Sequence, residues 1–185
     1  MKRILTIAII SLALVGNTFA GIVGNDAPDV KAQEWINATG PVSLEQFKNK
    51  VVVVEFWATW CPPCRDAIPH LVKLYNKNKD KGLVVIGLTN EKRKSAKIDK
   101  FMEDLKMNYI VGTGSTSGGD YSVRGIPAAF VVVDGKIIWE GHPVSGLDAA
   151  VEKALKEKAE KKEVKEEVKK EEKKSEPEQK TEKKK

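Results

Sequence analysis

Cys61 and Cys64 are the only cysteines in the 185-residue chain, and only Pro62 and Pro63 separate them. Upstream lies an apolar run, Val51 to Trp57; downstream a helical pattern begins. A pair at this spacing can cycle between dithiol and disulfide. At a helix mouth, unpaired N–H groups and partial positive charge favour the thiolate, bringing a pKa of about 8.5 toward roughly 7 or below. A structural bridge is the weaker reading, because a loop this short adds little chain-entropy stabilisation. A copper or zinc site is a further reading, but two thiols supply only half of zinc's usual four ligands. His70 and His142 are the only histidines. His70, six residues past Cys64, lies off its helix face and reads as a surface residue.

The elements that must position the pair follow from periodicity. Val51 to Trp57 is a β-branched and aromatic run suited to a strand covered on both faces, interrupted by Glu55. Ile68, Leu71, Val72 and Tyr75 repeat at i, i+3, i+4, i+7, predicting a helix that Pro69 should kink. Leu83 to Leu88 is a second buried strand, and Glu91 to Lys94 reads as charged and exposed. Ile98, Phe101, Met102 and Leu105 predict a further helix over 95–107. Met107 to Val111 is a short strand, and Gly112 to Gly119 a plain connector. Ala128 to Val133 and Lys136 to Glu140 flank Asp134-Gly135, a strong hairpin turn. A last helix starts near Leu147. Before all of these, Val30 to Ile36 suits an edge strand or hairpin arm, and Ser43 to Gln46 a capped short helix. The order is α/β, with a parallel, right-handed βαβ unit around the cysteines and antiparallel hairpin partners.

Residues 1–20 read as a signal peptide: basic Lys2 and Arg3, an apolar stretch from Ile4 to Val15, and small residues Thr18 and Ala20 before Gly21. The expected setting is the periplasm; an uncleaved, membrane-anchored form facing the same side is the alternative. Residues 156–185 hold thirteen Lys and ten Glu and too little apolar surface for a core, so a Lys/Glu-rich, largely disordered tail is expected, a solvated helix that frays into disorder after Ser175 and Pro177. Most of the formal net charge of +6 belongs to these two ends. Residues 21–155 are left nearly neutral, which gives no support for nucleic-acid binding.

Glu55-Phe56-Trp57-Ala58-Thr59-Trp60-Cys61-Pro62-Pro63-Cys64-Arg65, Pro69, Arg124-Gly125-Ile126-Pro127 and Gly141 resemble the thioredoxin superfamily, in its exported TlpA/ResA-like branch. The resemblance spans about residues 26–155. It implies a thioredoxin-like fold: a mixed central sheet with flanking helices, an N-terminal extension and one inserted helix between strands. Cys61 would be the exposed nucleophile and Cys64 the buried resolving thiol of a redox-active disulfide. Glu55 matches the buried acid of thioredoxins, a proton acceptor with a raised pKa. Many TlpA-like proteins carry a Glu three residues after the second cysteine, where this chain has Ala67. Ile126-Pro127 would be a cis peptide packed against the disulfide. Trp60, Pro62, Pro63, Gly125, Ile126 and Pro127 would form the substrate-binding surface, while Trp57 belongs to the core.

These features imply a periplasmic protein-disulfide oxidoreductase, a reductant of exported proteins such as apocytochrome c, drawing electrons from a membrane-embedded thiol donor. Its expected state is monomeric, with no cofactor, no resident metal and no nucleic-acid partner. A thiol oxidant or isomerase is the alternative within the same chemistry. A peroxidase reading is disfavoured, since Thr59-Trp60-Cys61 lacks the Thr-x-x-Cys spacing.

Overall fold

The computed structural model describes residues 22–175; the expected signal peptide and the last ten residues lie outside them. Six strands form one mixed sheet in the order β1-β4-β3-β2-β5-β6. They are β1 (Glu34–Ile36), β2 (Val51–Phe56), β3 (Leu83–Leu88), β4 (Ile110–Thr113), β5 (Ala128–Val133) and β6 (Lys136–Gly141). The helices are α1 (Pro62–Asn78), α2 (Ile98–Asp104), α3 (Ser117–Asp120) and α4 (Leu147–Ser175). The fold is α/β and thioredoxin-like, as expected.

Strand β2 is central because every one of its residues is buried. It pairs parallel with β3 and antiparallel with β5, in a register that sets Glu55 between Gly87 and Ala129. Side chains alternate across a strand. Val51, Val53 and Glu55 therefore point to one face, where Cys61, Cys64, Ile68, Phe101 and Val151 complete an apolar core with helices α1, α2 and α4. Val52, Val54 and Phe56 point to the other, against Val30, Val42, Tyr121 and Phe130. The α1 helix starts beyond the end of β2, and β5 starts beside that same end, with Ala128 opposite Phe56. This register brings the loop before β5 to the cysteines.

The β5–β6 hairpin turns at Asp134 and Gly135, both at positive φ (50° and 80°), as a two-residue turn of this kind requires. The N-terminal segment contributes only the three-residue edge strand β1, antiparallel to β4. Gly112 is required there. An added Cβ would lie 2.8 Å from each of Ala32, Trp35 and Leu88.

Three expectations are corrected. The strand placed at Met107–Val111 occupies Ile110–Thr113, because the chain first completes the end of α2. Lys106 turns to positive φ (55°) and Met107 N–H donates to Met102 O, a Schellman-type closure. The supposed connector 112–119 is instead half structured. Gly112 and Thr113 belong to β4, α3 follows, and buried Ser117 accepts a 2.8 Å hydrogen bond from Lys31 N–H. Finally, the tail from residue 156 is helical throughout its described part, α4 reaching Ser175, where fraying of the solvated helix was expected, so it is less disordered than its composition suggests. Lys153–Glu157, Lys156–Glu160 and Lys162–Glu166 lie one turn apart at 3.9 Å, and Lys158 Nζ donates to Asp134 Oδ1 at 2.6 Å. Repeated i,i+4 pairs of a few tenths of a kcal/mol each favour helix without a core.

Candidate redox site

Cys61 is the N-cap of α1, and its sulfur accepts from Cys64 N–H at 3.2 Å. Pro62 and Pro63 open the helix, where a missing N–H costs nothing and a fixed φ favours the first turn. Both prolines are exposed, and Trp60 beside them is 69% exposed. The two sulfurs form a disulfide. One expectation needs correction here. Cys61 is not openly exposed: in this oxidised state it is 3% accessible, against 0% for Cys64. The covering comes from the opposing loop. Ile126-Pro127 is a cis peptide, with Pro127 buried and Ile126 half-buried. Ile126 O lies 3.7 Å from Cys61 Sγ. The disulfide sulfur has no proton to donate, so this is a contact; the reduced thiol could turn it into a weak hydrogen bond. Gly125 is exposed at the rim, with open space around it.

Glu55 is fully buried on the α1-facing side of the sheet, and neither carboxyl oxygen has a hydrogen-bond partner among the described residues. Burial raises its pKa from 4.5 to about 8. Trp57 Nε1 and the Tyr109 hydroxyl are also buried and unpartnered. All three residues crowd the space above Gly87. A Cβ there would meet Trp57 Nε1 at 3.0 Å, Tyr109 Cε2 at 3.1 Å and Glu55 Oε2 at 3.4 Å. The Tyr109 phenol is pushed well above its ordinary range, by burial first and by the nearby Glu55 charge second. The Trp57 ring stacks on Phe101 with centroids 5.0 Å apart, and Arg65 caps Phe101 from outside at 5.0 Å. Ala67, the position where a carboxylate is missing, lies on the buried face of α1. Among the described residues, no three His, Cys, Asp or Glu side chains converge as a metal site. His70 is not a plain surface residue, since its Nε2 pairs with Asp148 Oδ2 at 2.7 Å and ties α1 to α4.

Sequence reasoning missed Glu91. The charged run 91–94 was expected to be exposed, yet Glu91 is half-buried. Its Oε2 accepts from Thr59 N–H at 2.6 Å and its Oε1 from the Thr59 hydroxyl at 2.7 Å. No local sequence signal marks it, since the partners are 32 residues apart. Thr59 immediately precedes Trp60 and Cys61, so the loop carrying the redox pair is held from β3.

Sheet order, helix-capping disulfide and opposing cis-proline together define a thioredoxin-like protein. Residues 23–140 match the AhpC/TSA family. The thiol-disulfide oxidoreductase ResA of Bacillus cereus is 32% identical over 119 residues, covering 63% of this chain and 67% of that protein. Among solved structures, a thiol:disulfide interchange protein from Bacteroides sp. is 31% identical with a TM-score of 0.62, covering 74% of this chain and 91% of that one. The thioredoxin domain of a thiol-disulfide oxidoreductase from Bacteroides vulgatus is 29% identical with a TM-score of 0.63, covering 72% and 97%. The chain belongs to the AhpC/TSA family and, with its ResA-like relatives, is a thiol–disulfide oxidoreductase.

Proposed function

We propose that the protein reduces disulfides of exported proteins in the periplasm, apocytochrome c among the candidates, with Cys61 as nucleophile, Cys64 as resolving thiol and Glu55 as proton acceptor. The observation carrying this reading is the buried, unpartnered Glu55 carboxyl on the face that also holds the disulfide. A group with a pKa of about 8 can take and return a proton near neutral pH.

The cycle balances as two thiol–disulfide exchanges. The Cys61 thiolate attacks one sulfur of a substrate disulfide, forming a mixed disulfide and releasing a substrate thiolate. Glu55 accepts the Cys64 proton. The Cys64 thiolate then attacks Cys61 Sγ, and the second substrate thiolate leaves. Two electrons pass to the substrate, and the protein ends as the disulfide seen here. A membrane-embedded dithiol donor must restore the reduced form. Trp60, Pro62 and Pro63 on one side and Gly125, Ile126 and Pro127 on the other would hold the substrate chain, the Ile126 backbone pairing with it in extended form. The leader-like residues 1–20 support export.

Insulin reduction tests the assignment. Cys61→Ser is expected to abolish it, and Cys64→Ser to accumulate mixed disulfides whose partners can be isolated from periplasmic extracts. Activity surviving in Cys61→Ser would remove the nucleophile. Equilibration with glutathione tests the direction: a potential near that of a strong oxidant, roughly −120 mV, would favour the oxidant reading instead.

A further inference from the structure

Glu91 uses its side chain and its backbone at once. The carboxylate takes both donors of Thr59, at 2.6 and 2.7 Å, and also accepts from the Thr89 hydroxyl at 3.3 Å. The Glu91 carbonyl accepts from Gly114 N–H at 2.8 Å, and the Thr89 carbonyl accepts from Ser115 N–H at 2.9 Å. One short segment after β3 thereby joins the loop after β2, which carries Trp60 and Cys61, to the loop after β4. Between these loops lies a groove of about 300 Å³ beside the disulfide, walled by Trp60, Asn90, Ser115, Thr116 and Ile126. Trp60 is the most exposed large apolar side chain of the described residues, and no hydrogen bond of its own holds its ring. Its position depends on Thr59.

We propose that Glu91 is a positioning residue for protein substrates: by clamping Thr59 it fixes Trp60 as one wall of the groove that receives the extended segment flanking a substrate disulfide. This rests on the protein-substrate reading above and adds a residue to it. Two charge-assisted bonds to one residue fix both the height and the rotation of the loop, which a single bond would not. In Glu91→Gln the amide oxygen can still accept from Thr59 N–H and the amide N–H can donate to the Thr59 hydroxyl oxygen, so only the charge is lost. Glu91→Ala removes both bonds. The consequence is selective. A small disulfide needs only the sulfur of Cys61, whereas a polypeptide must also lie against Trp60.

The experiment compares insulin with hydroxyethyl disulfide, using wild type, Glu91→Ala, Glu91→Gln, Thr59→Val and Thr59→Ser, each checked for an intact thermal transition. In Glu91→Ala we expect the KM for insulin to rise about ten-fold with kcat within about two-fold, and the rate on hydroxyethyl disulfide to stay within about two-fold; Glu91→Gln, which keeps both bonds, should rise by less. Thr59→Val, which lacks the hydroxyl donor, should move in the same direction by less, and Thr59→Ser, which keeps it, should restore wild-type behaviour. Thr59→Val and Thr59→Ser decide the matter if Glu91→Ala does not fold. Equal losses on both substrates would make Glu91 a general structural tie and overturn the proposal. So would an unchanged KM for insulin. Wild type active on hydroxyethyl disulfide but inert toward insulin would overturn the protein-substrate reading and this one with it.

Discussion

Glu55, on β2, has no exposure and no hydrogen bond to either oxygen, whereas Glu91, after β3, is half-buried and has both oxygens engaged by Thr59. The two carboxyl groups thus sit in opposite environments, one buried without a partner and one bonded through both oxygens. An unpartnered buried acid is costly to ionise, so its proton is available for exchange near neutral pH. Glu91, by contrast, is held as a tie between two loops. Placement alone, not residue type, separates the two environments.

The largest expected effect lies on the Glu55 side. Removing a general base costs about 10²-fold or more, so Glu55→Gln should slow resolution of the mixed disulfide by that order at pH 8. Rapid-quench measurement of substrate release would show it, and an unchanged rate would remove the base role. The same substitution should change the pH dependence of stability. Below about pH 4.5 the carboxyl is protonated whether folded or unfolded, and it imposes no penalty. Between 4.5 and about 8 the folded protein keeps a proton that the unfolded chain has lost, so stability falls as pH rises. The full difference, on the order of 5 kcal/mol, is reached above that window. Denaturant titrations of Glu55→Gln across it should lack this slope, while those of Glu91→Gln should retain it.

Gly87→Ala sharpens the contrast by crowding only the Glu55 side. Its Cβ would press on Trp57 Nε1 and Tyr109 at 3.0 and 3.1 Å, so a loss of about 1–3 kcal/mol is expected. A urea midpoint unchanged from wild type would show that the cluster has slack. On the Glu91 side, Trp60→Ala should leave stability within about 0.5 kcal/mol, because the side chain is mostly solvent-facing. It should nevertheless weaken insulin reduction. A large fall in the melting temperature would mean that Trp60 supports the fold. The smallest effect is expected from Lys162→Ala. Its pair with Glu166 is exposed, so circular dichroism should change by no more than the loss of a few tenths of a kcal/mol predicts.

The difference between the two glutamates also explains what could be read from the sequence. Glu55 was visible because it interrupts an apolar run, and Cys61 and Cys64 because their spacing is local. Strands β2, β3 and β5 followed from β-branched runs, and the Ile126-Pro127 loop from the resemblance to the thioredoxin superfamily. Glu91 was not visible. Its neighbours Lys92, Arg93 and Lys94 present the pattern of a solvated turn, and its partner is brought near only by the parallel pairing of β2 with β3. The ends of α2 and β4 were misplaced for a related reason. Periodicity marks the middle of an element, while Lys106 and Met107 are settled by backbone hydrogen bonds that close the helix. The helix into the charged tail was legible from Glu and Lys at i, i+4 spacing, although no apolar stripe supports it.

Among the described side chains of α4, Lys158, bonded to Asp134, is the last seen gripping the rest of the molecule, and the helix runs on to Ser175. At 1.5 Å per residue, that continuation is about 25 Å long. A rod of this length on one side of a small sphere adds friction out of proportion to its mass. The protein should therefore tumble anisotropically and sediment more slowly than a compact particle of its weight, and raising the salt concentration should shorten the drag by loosening the ion pairs that keep the rod straight.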